Sequence, residues 1–242
     1  MTYLQFLLIF IVPWLIVETI IFLKNYSKSK KLFFSGLAFL SFLALTYSTP
    51  WDNYLVKIGV WDYPAGRVLG VIGYVPIEEY CFFILQTALT GYFVFFLTKK
   101  MAVINNFQRS ILTRVFGSIF FLCITLFGIY ALQSDSTKYL GLILAWAAPV
   151  MLIQWAFGGD YLFKNFLIYS ISVALPTIYL WIADAIAIKL NIWSISEKFT
   201  TGYKIFNLPI EEAIFFLSTN IMVVQGLLLF WWYFENKKKL SN

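Results

Sequence analysis

"VPIEEYCFFILQT" (Val75–Thr87) and "LPIEEAIFFLSTN" (Leu208–Asn220) are near-copies of one another. In each, Pro-Ile-Glu-Glu leads directly into an apolar run of membrane-spanning length. Proline suits the first helical position, because the N–H it lacks has no intrahelical partner there. Carboxylates suit the first turn, where the helix dipole is positive. One acid is enough for that purpose. A second adds like-charge repulsion, and the pair recurs. Helix capping is one reading of these glutamates; chemistry at a shared site is the other.

The rest of the chain is consistent with a membrane protein. Of 242 residues, 61% are hydrophobic and 12% charged. Apolar runs of about 20 residues match the thickness of a bilayer core, and in lipid such runs must be helices, because their backbone groups have no water to bond. We read an all-α integral membrane protein with seven spans, near 3–23, 32–50, 77–97, 115–132, 139–157, 165–188 and 208–234. The first is too long for a signal-peptide core and has its lysines after it. Trp231, Trp232 and Tyr233, before Lys237, Lys238 and Lys239, read as an interfacial belt. Cys81 and Cys123 read as small core residues. Twelve of the 18 basic residues fall on one side of this arrangement: Lys24, Lys28, Lys30, Lys31, Lys99, Lys100, Arg109, Arg114, Lys164 and the three C-terminal lysines. The positive-inside rule then puts the N-terminus outside and the C-terminus in the cytoplasm. The net charge of +6 is a topology signal and a match to anionic lipid; no base-reading motif implies nucleic acid.

The chain repeats itself. "YLQFLLIFIVPW" from Tyr3 aligns with "YLGLILAWAAPV" from Tyr139, so Pro13 matches Pro149. Asp52 then matches Asp184, Trp61 matches Trp193, and the glutamate pairs match. Residues 1–100 and 135–242 are two three-helix repeats, and 101–134 is a connector containing the fourth helix. A displacement of four spans makes the repeats parallel about an axis along the membrane normal. Both glutamate pairs then lie at one depth and can face one cavity. The stretches 51–75 and 183–207 are expected to be interfacial helices and loops that lid it.

Two adjacent carboxyls in a poorly solvated site do not both ionise easily, which supplies a Brønsted acid and a base side by side. At 100° per residue Glu79 shares a face with Phe83, Gln86 and Thr90. Glu212 shares one with Phe216 and Thr219, with Asn220 beside it. Glu78 and Glu211 lie about a quarter-turn away. The chain has no histidine, which argues against di-iron oxygenases and histidine acid–base chemistry. There is no dinucleotide fingerprint, no aspartate cluster for a magnesium diphosphate, and no lysine in the last span for a retinal Schiff base. Neither a cofactor nor a metal is therefore expected. What remains is redox-neutral proton chemistry on an apolar molecule, where aromatic faces can stabilise a carbocation.

"TPWDNY" (Thr49–Tyr54), "VPIEEYCFFILQT" and "LPIEEAIFFLSTNIMVVQG" (Leu208–Gly226) resemble the membrane-integral carotenoid (lycopene) cyclase family in its fused form. In other members the two halves are separate polypeptides. The resemblance implies conversion of the linear ends of lycopene to β-ionone rings, with γ- and then β-carotene as products of carotenoid biosynthesis. It implies Glu78, Glu79, Glu211 and Glu212 as the catalytic acids. A protonated glutamate donates to carbon 2, the double bond between carbons 5 and 6 attacks the cation at carbon 1, and carbon 6 loses a proton. Trp51, Trp61, Phe83, Trp193 and Phe216 are candidates to surround the cation, and Asp52, Gln86, Asp184 and Asn220 to give polar support. Asp52 and Asp184 are read equally as proton relays or helix caps. The expected partners are a carotenoid taken from the bilayer, membrane lipid and other carotenoid enzymes. A fifty-carbon carotenoid cyclase and a proton-coupled transporter are the alternatives.

Overall fold

The computed structural model describes residues 1–26 and 30–240, the side chains of 237–240 excepted. Lys28 and the side chains of Lys237, Lys238 and Lys239, used above for orientation and the belt, lie outside the described residues. Among the described residues, seven helices are long and apolar enough to cross a membrane: α1 (Tyr3–Asn25), α2 (Lys30–Ile58), α3 (Ile77–Lys100), α4 (Ile111–Ala131), α5 (Lys138–Lys164), α6 (Phe166–Lys189) and α7 (Ile210–Leu240). Pro13 lacks an N–H and its ring crowds the carbonyl four residues earlier. Helix α1 absorbs this in a π-helical turn over Leu7–Ile11.

The glutamate-led helices form the centre. Helix α3 packs on α1, α2, α6 and α7, and α7 packs on α2, α5 and α6 as well. Of the most apolar window of α7, 61% is buried, against 11% for α4, so the connector helix is peripheral. It reaches only α5 closely, through facing glycines. A Cβ at Gly128 would lie 2.7 Å from the Ala145 nitrogen, and one at Gly141 2.8 Å from the Gly128 carbonyl oxygen. Small residues allow such an approach between helices in lipid, where there is no hydrophobic drive to pull them together.

The two halves mirror each other in detail. The Tyr47 hydroxyl on α2 donates to the Trp146 carbonyl on α5 at 2.8 Å, and the matching Tyr179 on α6 donates to the matching Phe10 carbonyl on α1. Tyr3 begins α1 and meets Glu79 at the start of α3, while Tyr139 begins α5 and meets Glu212 at the start of α7. These four helices therefore start at the same end of the bundle.

Four expectations are corrected. Residues 51–58 and 183–189 are not separate helices or loops: α2 continues past Pro50 to Ile58, and α6 runs to Lys189. Trp51, Asp52 and Asp184 thus belong to the long helices. The lid beyond them is not helical apart from the short turn Glu197–Phe199. It consists of three two-stranded antiparallel ladders. β1 (Trp61–Asp62) pairs with β4 (Ser194–Ile195), β2 (Val71–Ile72) with β3 (Val75–Pro76), and β5 (Lys204–Ile205) with β6 (Leu208–Pro209). The last two are hairpins with two-residue turns that need positive φ, supplied by Gly73 at 69° and by Phe206 and Asn207 at 49° and 68°. Trp231 and Trp232 are buried against Phe33, Phe107 and Tyr161 rather than forming a belt; Tyr233 is exposed. Cys81 and Cys123 face outward, not into the core.

Candidate active site

The Pro-Ile-Glu-Glu segments end a hairpin and start a helix in consecutive residues. Pro76 and Pro209 close β3 and β6, and helix begins at Ile77 and Ile210. This abrupt junction aims the two acids of each pair in different directions. Glu78 turns back to the loop, where its Oε1 accepts the Leu69 N–H at 2.8 Å. Glu211 does the same, taking the Thr201 N–H and hydroxyl, both at 2.7 Å. Neither lines the cavity between the halves.

Glu79 and Glu212 do line it, sharing a narrow space of about 30 Å³. Glu79 Oε2 accepts from the Tyr3 hydroxyl at 2.7 Å and the Tyr63 hydroxyl at 3.0 Å. Glu212 Oε1 accepts from the Tyr139 hydroxyl at 2.5 Å and the Trp61 indole N–H at 3.0 Å. Trp61 belongs to the first half and Glu212 to the second, so the site is built across the repeat. The β1–β4 ladder fixes this crossing by pairing Trp61 with Ile195, and the Ser196 N–H adds a bond to the Val60 carbonyl. Tyr63 is partly buried, and desolvation together with the neighbouring Glu79 charge holds its hydroxyl well above the usual phenol range. It stays a donor.

The remaining walls are Phe6, Phe82, Phe215, Phe216, Trp193, Leu180, Ala183, Ile195 and Asp184. Asp184 accepts the Trp193 N–H at 2.9 Å, and its other oxygen has no partner. Asp52 is fully buried with both oxygens unpartnered. It lines an adjacent groove together with Phe83 and Gln86. Below the acids, Asn220 ties three helices together: its Oδ1 accepts from Gln86 and Thr90, and its Nδ2 donates to Thr177.

The structure therefore brings together Glu79, Glu212, Trp61, Trp193, Phe216 and Asp184 around one space. Phe83, Gln86 and Asp52 lie in the next. Trp51 lines neither; it stacks between Trp146 and Phe215, at 4.5 and 5.7 Å. Tyr3, Tyr63 and Tyr139 are site residues that sequence reasoning missed. The Tyr3–Tyr139 match was itself a signal, because repeat-equivalent polar residues at helix starts point to one place. Tyr63 has Ile195 as its counterpart, and no pattern marks it. Among the described residues no group of histidine, cysteine and acidic side chains has the geometry of a metal site.

Buried acids gripped by tyrosines, in an aromatic-walled space at one end of a seven-helix bundle, define a polytopic membrane protein equipped for proton transfer to an apolar molecule. The chain is 42% identical to the lycopene beta-cyclases of Halobacterium salinarum strains R1 and NRC-1, over 82% of its own length and 83% of theirs. It is 35% identical to the bifunctional lycopene cyclase/phytoene synthase of Podospora anserina and 36% identical to that of Neurospora crassa, covering 34% of each. The chain belongs to the lycopene cyclase family. No protein-family model and no solved structure matches it.

Proposed function

We propose that this chain is a lycopene beta-cyclase, an enzyme of carotenoid biosynthesis that closes the linear ends of its substrate into β rings. The observation that carries the reading is the pair Glu79 and Glu212 lining one aromatic-walled space, in a chain so similar to lycopene beta-cyclases. One of the two donates a proton to carbon 2. The double bond between carbons 5 and 6 then bonds to carbon 1, moving the positive charge to carbon 5. Loss of the carbon 6 proton to the other carboxylate forms the ring double bond. Protons in and out balance, and no electrons are consumed.

Tyr3, Tyr63, Tyr139 and Trp61 hold the carboxyls so that their free oxygens face the substrate. Trp61, Trp193, Phe82, Phe215 and Phe216 offer ring faces to the cation, an attraction that strengthens when water is excluded. Glu78 and Glu211 act on the lid, by anchoring the loops ahead of the hairpins, rather than on the substrate. Residues 1–100 and 135–242 are the two cyclase repeats and 101–134 the connector. The basic residues favour an N-terminus outside and a C-terminus in the cytoplasm, with the carotenoid drawn from the cell membrane.

Expression in a lycopene-accumulating bacterium tests the function. Bicyclic β-carotene is expected. Unchanged lycopene, with folded protein in the membrane, would overturn it; cyclic fifty-carbon products from an elongated precursor alone would redirect it.

A further inference from the structure

The acid cavity is too small for a carotenoid end group. Its volume of about 30 Å³ holds one or two water molecules, and a methylated six-membered ring is several times larger. The missing room lies next to it. An apolar groove of about 230 Å³ runs between α2, α3, α5 and α7, and Phe82 and Phe215 line both spaces. These two rings are the partition. The groove follows α2 from Asp52 to Leu40, roughly 18 Å at helical rise and over half the bilayer core. It opens toward lipid beside the exposed Leu43 and Tyr47. A stack of flat rings backs it: Tyr47 on Trp146 at 5.7 Å, Trp146 on Trp51 at 4.5 Å and Trp51 on Phe215 at 5.7 Å. The matching place across the repeat has Phe10 for Trp146 and Ala183 for Trp51, so this stack is one-sided.

A second observation points to a ligand. Asp52 sits at the acid-site end of the groove, fully buried, with neither carboxyl oxygen partnered. Ionisable groups are not kept unpaired in a membrane interior without a use. A groove filled only by lipid tails gives this one none.

We infer that this groove holds the polyene arm of the substrate. The reacting end passes the Phe82–Phe215 partition beneath Asp52, and the remaining chain lies along α2 against the aromatic stack. The inference rests on the cyclase reading and adds to it where the chain binds and from which side it enters. Its occupant is a long, flat, conjugated hydrocarbon, because the groove shares its Phe82–Phe215 wall with the acid cavity, is extended and is backed by stacked rings. The larger groove of about 500 Å³ between α4, α5, α6 and α7 shares no residue with the acid cavity and serves as the control.

The test uses full-length protein in detergent with lycopene. Initial rates give kcat and KM, and circular dichroism induced in the polyene's visible band reports binding without turnover. Ala44 lines the groove. Ala44→Val should lower kcat/KM roughly tenfold and Ala44→Trp by on the order of a hundredfold or more. Both losses should fall mainly on KM, and Ala44→Trp should lose the dichroic band. Ile221→Trp, in the control groove, should match wild type. A folded Ala44→Trp with unchanged kcat/KM and dichroism would overturn the inference. If that variant does not fold, an unchanged KM in Ala44→Val and Ser48→Leu would do the same. A purified wild type whose groove keeps phospholipid, with no dichroic band on adding lycopene, would also overturn it. A wild type that shows the band but makes no ring would sink the cyclase reading and leave the groove standing.

Discussion

Glutamine at position 79 or 212 keeps the size and hydrogen bonding of glutamate but cannot pass a proton. Glu79→Gln and Glu212→Gln should each lower cyclisation by on the order of a hundred- to ten-thousandfold, with normal amounts of folded protein in the membrane; product yield against protein level checks this. The neighbouring acids should behave differently. Glu78 and Glu211 hold loop backbone through Leu69 and Thr201, and a neutral glutamine oxygen still accepts those bonds, less strongly than a carboxylate. Glu78→Gln and Glu211→Gln should therefore lower the melting temperature in detergent while retaining most turnover. A full loss of activity at unchanged stability would place them in the proton path instead. Tyr139→Phe removes one of two donors to Glu212, a loss of about 1.5–3 kcal/mol for a bond to a charged group. It should slow kcat with little change in KM, read from initial rates.

At the scale of helices, the seven spans were legible because a bilayer imposes a length that apolar runs must meet, and the starts of α3 and α7 were legible because Pro-Ile-Glu-Glu is unambiguous helix-start chemistry. The end of α2 was not. Trp51-Asp52-Asn53 looks like the end of an apolar run, and only the packed structure shows a carboxyl carried inside. The split of each glutamate pair was half legible: helical periodicity separated Glu79 from Glu78 by a quarter-turn, but what Glu78 faces depends on a hairpin whose ladder is two residues long. The β1–β4 pairing joins residues more than 130 positions apart, and short-range pattern carries no trace of it. The α4–α5 crossing is testable in the same terms. Gly141→Val would drive a branched side chain into the Gly128 carbonyl and Leu132, for a cost of about 1–3 kcal/mol. Thermal unfolding should report a destabilised bundle, and because Tyr139, a donor to Glu212, lies two residues before Gly141, turnover should fall with it.

For the molecule as a whole, the proposed reaction neither gains nor loses electrons, and the donated proton comes from a carboxyl that exchanges with solvent. Turnover in deuterated water should put one deuterium at carbon 2 of each new ring, read by mass spectrometry, and lycopene alone should suffice without added flavin, nicotinamide or metal. Product without deuterium there would mean an internal shift. The β1–β4 ladder is a clasp that holds Trp61 beside Glu212, and it has a further consequence. In the proposed reaction it covers the acid cavity on the loop side, while the groove proposed for the polyene lies on the other side of Phe82 and Phe215. A tertiary cation at carbon 1 has two fates, capture by its own double bond or capture by water, and the clasp removes the second. Loosening it, for instance with Ser194→Pro, should do more than slow the enzyme. It should release acyclic tertiary alcohols, heavier than the substrate by one water, so that the fidelity of ring closure, rather than its speed alone, is what two pairs of strand residues protect.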